Sequence, residues 1–181
     1  AEVAMDRAGL HWRADVVHAN DWQTGLIPAF LHEEAQRPRT LFTIHNMAYA
    51  GYFPKSLFDS MWLPWHWWSI EGVEFYGQMS MLKAGIQYAD AVTTVSPSYA
   101  REICTEEFAY GFAGIMRATR EQGRLYGILN GIDTRHWNPA TDPYLHENYD
   151  LGSGHVAGKK RNKLALLQQL GADQVLVANG A

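Results

Sequence analysis

Four short runs of apolar and β-branched residues, separated by stretches of helical periodicity, constrain this chain more than any other feature of its sequence. The first is Asp15, Val16, Val17, His18 and Ala19; the others occupy residues 40–45, 91–95 and 125–129. The run at 40–45 is near-continuously apolar rather than alternating, the pattern of a strand covered on both faces. After the first run, Leu26, Ile27, Phe30 and Leu31 fall at helical spacing within residues 22–35, and similar periodicity marks residues 78–89 and 112–121. Parallel neighbours need a crossover, usually helical, so the sequence predicts an α/β fold with a doubly wound, mainly parallel sheet. In open sheets of this kind the ligand crevice lies just beyond the carboxyl ends of the strands.

The intervening segments complete the outline. Residues 46–77 read as a long irregular connection, punctuated by Gly51, Pro54, Pro64 and Gly72, with a short helix at 55–61. Connections of that length inside a compact domain are usually functional. Ser96 and Pro97 open a helix through Ile103 as N-cap and first helical residue. Residues 137–158 are Pro- and Gly-punctuated loop, and helical character returns at 160–170, closed by Gly171. Residues 174–178 look like the approach to a further strand, and with Ala1 as the opening residue the chain reads as an excised fragment.

Composition narrows the function classes. A net charge of -4 without a long run of either sign favours neither nucleic acid nor an anionic membrane as partner. The single cysteine, Cys104, has no second thiol for a disulfide or a Cys-rich metal site, which fits a reducing, cytoplasmic setting. No apolar stretch reaches the roughly 20 residues needed to cross a bilayer. Trp62, Trp65, Trp67 and Trp68 crowd around Pro64 and His66. Such a cluster is either a small core that anchors the long connection or a stacking platform for sugar rings, whose apolar faces suit flat aromatics.

The residues that follow the four runs are polar. They are Asn20, Asp21 and Trp22; His45 and Asn46; Ser96; and Asn130, Gly131, Ile132 and Asp133. Short hydrogen-bonding groups of fixed direction collected at one edge suit a site that grips several sugar hydroxyls. Each also has an ordinary role available: Asp21 as a helix cap, His45 as a satisfied histidine, Asn130-Gly131 as a common turn. Other chemistries lack their motifs. There is no His-Glu-x-x-His, and His18 with Asp21 offers no third metal ligand; a P-loop and a Gly-x-Gly-x-x-Gly after the first run are both absent. Glu71 and Glu74, three residues apart on one segment, would lie side by side rather than flank a glycosidic bond.

Several blocks carry a family resemblance in matching order: residues 15–22, 43–51, 72–78, 82–86, 94–103 and 129–133, with Trp137-Asn138-Pro139. Together they resemble the bacterial glycogen (starch) synthases. The resemblance implies a GT-B arrangement, two Rossmann-like domains facing across a cleft, of which residues 1–158 would be part of the N-terminal domain and residues 159–181 a helix leading to a second. It implies glucosyl transfer from ADP-glucose to the non-reducing end of an α-1,4-glucan with retention, and no metal or cofactor besides the donor. By the same resemblance Asp21 lies beside the reacting glucose, His45 and Asn130 hydrogen-bond donor hydroxyls, and Trp22 and Asn46 shape the pocket. Asp21 and His45 are expected to be the most rate-sensitive.

The departures matter too. The family's Lys-x-Gly-Gly-Leu loop is not in these residues, nor are the second domain's phosphate-binding Arg and Lys and its catalytic-site Glu, so these residues alone are expected to transfer no glucose. Asn20 stands where the family usually has histidine. Two alternatives remain beside the transferase reading: a glucan-binding domain without catalysis, and a GT-B transferase that takes another nucleotide sugar.

Overall fold

A computed structural model describes residues 1–152 and 154–172. The chain divides into two compact units between Asn130 and Gly131. In the first, strands β1 (Val16–Asn20), β2 (Arg39–Ile44), β6 (Ala91–Thr94) and β7 (Leu125–Gly127) form one sheet in the order β1-β2-β6-β7. Every pairing in it is parallel. The expected α/β fold with a parallel sheet is therefore present, and its four strands match the four apolar runs.

Helices supply the crossovers. Trp22–Thr24 forms a turn of 3-10 helix and α1 (Leu26–His32) follows it, so the helix expected over 22–35 is split and shorter. The break sits at Gly25, where α1 meets the start of α3 (Met81–Tyr88). A Cβ on Gly25 would lie 1.8 Å from the carbonyl oxygen of Met81. That atom is backbone and cannot swing aside, so Gly25→Ala should cost about 3 kcal/mol, the upper end for overpacking. A lowered urea midpoint with an unchanged m-value would report it.

Residues 46–80 are more ordered than their sequence suggests. They hold a small antiparallel sheet, β3 (Tyr52–Pro54), β4 (Glu74–Phe75) and β5 (Gln78–Ser80) in the order β3-β5-β4, together with α2 (Lys55–Ser60). Residues 78–80, expected to begin a helix, instead pair with β3 and β4, and Ser80 caps α3 by accepting from the Lys83 amide at 3.2 Å. Buried Lys83 fastens this connection to α3: its Nζ donates to the carbonyls of Ile70, at 2.5 Å, and of Glu74. Loss of hydration pushes its pKa down, opposed by Glu74 and Glu71.

The tryptophan cluster divides between both readings. Trp67 is fully buried and donates its indole N–H to Glu33 at 2.8 Å, and Trp68 packs edge-on against Phe58. Trp62 and Trp65, by contrast, are 94% and 85% exposed. Trp67 belongs to a satellite core with Leu26, Phe58, Leu63, Val73 and Met79, and half-buried Trp68 packs against it. The main core, with Phe42, Ile44, Leu82, Ile86, Val92, Phe112 and Met116, lies between the parallel sheet and its helices.

Two further helices complete the first unit. Ser96 caps α4 (Pro97–Glu102) by accepting from the Tyr99 amide at 2.9 Å, with Pro97 at the helix start as expected. The second helix, α5 (Ala113–Glu121), precedes β7.

In the second unit, α6 (His155–Gln169) begins five residues before the expected helix. Its preceding loop is held by the Asn162 amide, which donates to the Glu147 carbonyl at 2.7 Å, and by an Arg161–Glu147 ion pair. Gly171 closes the helix in the left-handed conformation. The strand expected at 174–178 lies outside the described residues. Among the described residues no helix is long and apolar enough to cross a membrane.

Candidate active site

The parallel ladder fixes where the polar residues go. Because β1, β2, β6 and β7 run in one direction, the residues after them emerge at a common edge. Asp21 and His45 meet there directly. The β1–β2 pairing continues one residue past Asn20, with the Asp21 amide donating to the Thr43 carbonyl at 2.9 Å. The chain then turns sharply, and Asp21 takes φ 57°, ψ 175°. Non-glycine residues rarely occupy that region, at a cost of about 1–3 kcal/mol, and such strain concentrates at functional sites.

The strained turn aims the carboxylate across the strand gap. Oδ1 of Asp21 accepts the backbone amide of His45 at 2.9 Å. Its side chain makes no bond to the following helical turn, so the capping role open to it is not the one it takes. Thr24 pins the turn from below, its hydroxyl donating to the carbonyls of Asn20 at 2.7 Å and Asp21 at 3.0 Å.

His45 is oriented from β1. Its Nε2 lies 3.0 Å from Oδ1 of Asn20. With the Asn20 carboxamide oxygen as acceptor, the ring donates through Nε2 and turns Nδ1 away from β1. Asn20 thus sets the tautomer and direction of His45, a role that the residue type alone does not reveal. Beneath this edge, His18 bonds to Thr43 at 2.6 Å, and Thr43 to Thr93 at 2.6 Å, so a line of polar contacts crosses β1, β2 and β6.

Asn46 and Trp22 take different positions. Oδ1 of Asn46 accepts from the Ala48 amide at 3.0 Å, which shapes the turn after β2. With His45 it lines a cavity of about 360 Å³ whose other walls are Val95, Tyr99, Phe108 and Tyr110. The phenol of Tyr99 accepts the Met47 amide at 3.0 Å and holds the far side of that turn. Trp22 is half-buried, tilted against Phe53 and laid over Gly51, where a Cβ would come within 2.4 Å of its ring.

Asn130 follows β7, whose pairing with β6 extends through the Ile128 amide to the Thr94 carbonyl at 2.8 Å. It is exposed and ends the first unit. Among the described residues no hydrogen bond joins it to Asp21 or His45. Ser96 is engaged in capping α4. Phe108 and Tyr110, which sequence reasoning passed over, share the His45 cavity; their one signal was aromatic content within an irregular stretch. No three His, Cys, Asp or Glu side chains among the described residues converge as metal ligands do.

A family model described as "Starch synthase catalytic domain" matches residues 1–118. The chain belongs to that family. It is 61% identical over 168 residues to the glycogen synthase of Hydrogenovibrio crunogenus, a match that covers 92% of this chain and 34% of that protein. The glycogen synthase of Cellvibrio japonicus is 52% identical, with 93% of this chain and 34% of the relative covered. Among solved structures, the catalytic domain of Starch Synthase IV from Arabidopsis thaliana bound to ADP and acarbose superposes with a TM-score of 0.67 at 32% identity. That superposition covers 91% of this chain and 34% of the plant chain. The chain thus spans about a third of the length of the relatives it matches.

Proposed function

We propose that this chain supplies the donor-sugar wall of a retaining glucosyltransferase that moves glucose from ADP-glucose to the non-reducing end of an α-1,4-glucan. The observation that carries the reading is the Asn20, Asp21 and His45 constellation at the carboxyl ends of β1 and β2, in a chain 61% identical to a glycogen synthase. The ADP and acarbose named with the plant starch synthase support a nucleotide donor and a glucan-like acceptor.

In the proposed reaction each of these groups has a role. The bond between the glucose anomeric carbon and the diphosphate breaks, positive charge builds on the sugar ring, and the acceptor's hydroxyl oxygen bonds that carbon while its proton leaves with the diphosphate. One oxygen of Asp21 is held by the His45 amide, and the other is left to face the developing charge. Nδ1 of His45 accepts from a sugar hydroxyl, and Asn130 holds another. Groups fixed in advance lower the barrier because they need not reorganise as charge appears. The reaction needs no cofactor besides the donor, and Trp22 and Asn46 shape the pocket in which it occurs. The domain that completes the cleft, in a GT-B arrangement, supplies the cationic partners of the diphosphate.

The test uses a chimera: the Hydrogenovibrio crunogenus glycogen synthase with its matching segment replaced by residues 1–181. It should incorporate glucose from ADP-glucose into glycogen and prefer it to UDP-glucose, while the 181-residue chain alone incorporates none. A folded chimera without transfer from either donor would refute the transferase reading, and one that prefers UDP-glucose would refute the donor assignment.

A further inference from the structure

We propose that Trp62 and Trp65 form a second carbohydrate site, a surface platform that holds a neutral α-glucan chain by stacking against its sugar rings. The inference rests on the glucan acceptor proposed above but concerns residues of a different segment. Four tryptophans occupy residues 62–68, and the fold treats them in two ways. Trp67 and Trp68 pack into the satellite core, whereas Trp62 and Trp65 present 94% and 85% of their surface to solvent.

The exposure is built in. Trp62 adopts φ 52°, a left-handed conformation that bulky side chains rarely take. Between the two rings, Leu63 is buried and Pro64 leads into the 3-10 turn Trp65–Trp67, whose last residue is locked by its bond to Glu33. The rings are thus carried on a short stretch anchored at Leu63 and Trp67. They stand three positions apart in the chain, at most about 11 Å between backbones, a span that a few linked hexoses can bridge. Partly exposed Leu57 and Met61 extend the apolar surface on the α2 side.

Charge points to the class of ligand. Asp59, just before Trp62, is paired with Lys55 at 2.7 Å. His66, beside Trp65, contacts Glu33 at 3.0 Å. The ionisable groups flanking the rings are therefore matched within the chain, which suits an uncharged polyol and offers little to a charged ligand or partner. Polymer anchoring at such a site raises the effective concentration of chain ends for a reaction elsewhere on the same protein.

Affinity electrophoresis of the 181-residue chain through glycogen-containing gels tests the platform. The wild-type chain and Asp21→Asn should be retarded alike. Trp62→Ala with Trp65→Ala should weaken retention about tenfold, as expected when two aromatic contacts are lost, with an unchanged circular dichroism spectrum. In the chimera the same pair should raise KM for glycogen and leave KM for ADP-glucose and for a short maltooligosaccharide unchanged. Equal retention of the double variant, or no retention of the wild-type chain, would overturn the proposal. So would a double variant that retains glycogen binding but shifts from dimer to monomer in sedimentation, because the rings would then serve a protein interface. Absence of any transfer by the unsubstituted chimera would count against the transferase reading alone, since retention in the gel is measured without catalysis.

Discussion

Asp21→Asn should lower kcat of the chimera about 100- to 1,000-fold, the size of loss seen when one preorganised electrostatic contact to a transition state is removed. The substitution is chosen for what it keeps. An asparagine oxygen can still accept the His45 amide at 2.9 Å, so the link between the ends of β1 and β2 survives while the negative charge is gone. A loss confined to kcat would assign the effect to charge rather than to folding. Asp21→Gly supplies the complementary arm. Glycine relieves left-handed strain worth about 1–3 kcal/mol, which offsets a lost hydrogen bond of about 1 kcal/mol, so thermal stability should hold while transfer disappears. A variant at 21 that folds and transfers normally would remove Asp21 from the reaction.

Asp90→Ala should destabilise the fold by about 3 kcal/mol, read as a fall in the urea midpoint. Asp90 joins the amino end of β6 to that of β2, at the edge opposite the candidate site. Arg37 grips its carboxylate with both terminal guanidinium nitrogens, at 2.6 and 2.9 Å, and the Thr40 amide and hydroxyl donate to it at 2.7 and 3.1 Å. Deleting one partner of a buried pair costs about 3–5 kcal/mol because the other charge is stranded. The Asp90 and Arg37 side chains are 20% and 18% exposed, so the lower end of that range applies.

The same contacts give the network a pH dependence. The Arg37 guanidinium, with help from Thr40, holds the Asp90 carboxyl well below the usual carboxylate range. A group whose pKa is depressed by folding contributes fully above its unfolded value, near about 3.9, and loses that contribution as pH falls through the folded value. Stability of the wild-type chain should therefore decline as acid is added below about pH 4. Asp90→Asn should flatten that part of the profile.

The strands and their direction were legible because each run carries several β-branched or apolar residues and is followed by helical spacing, as at Leu26, Ile27 and Leu31. Strands of two or three residues have no such signal. Glu74–Phe75 and Gln78–Ser80 are too short to show alternation, and Met79 falls in helical register with Leu82 and Ile86, so β5 merged with α3 on paper. The early start of α6 was hidden by Gly158, which reads as loop punctuation. Its real reason is space, since a Cβ there would lie 2.4 Å from the Tyr149 side chain.

The site was half legible for a similar reason. Residue type and position at a strand end are readable, and Asp21, His45 and Asn130 were named as candidates that way. The turn that carries Asp21 past a capping role depends on a φ of 57° that sequence does not display. Nor does sequence display that Asn20 fixes the proton on Nε2 of His45. Four neighbouring tryptophans look alike in sequence, and only contacts with Glu33 and Phe58 separate the packed pair from the exposed one.

A crystal structure of the chimera with an unreactive ADP-glucose analogue is the most direct measurement of where the sugar sits. A hexose is expected there whose hydroxyls lie within about 3.2 Å of Asp21, His45 and Asn130 together. A glucosyl group bound away from the carboxyl edge of the parallel sheet, or held without any of these three side chains, would contradict that expectation.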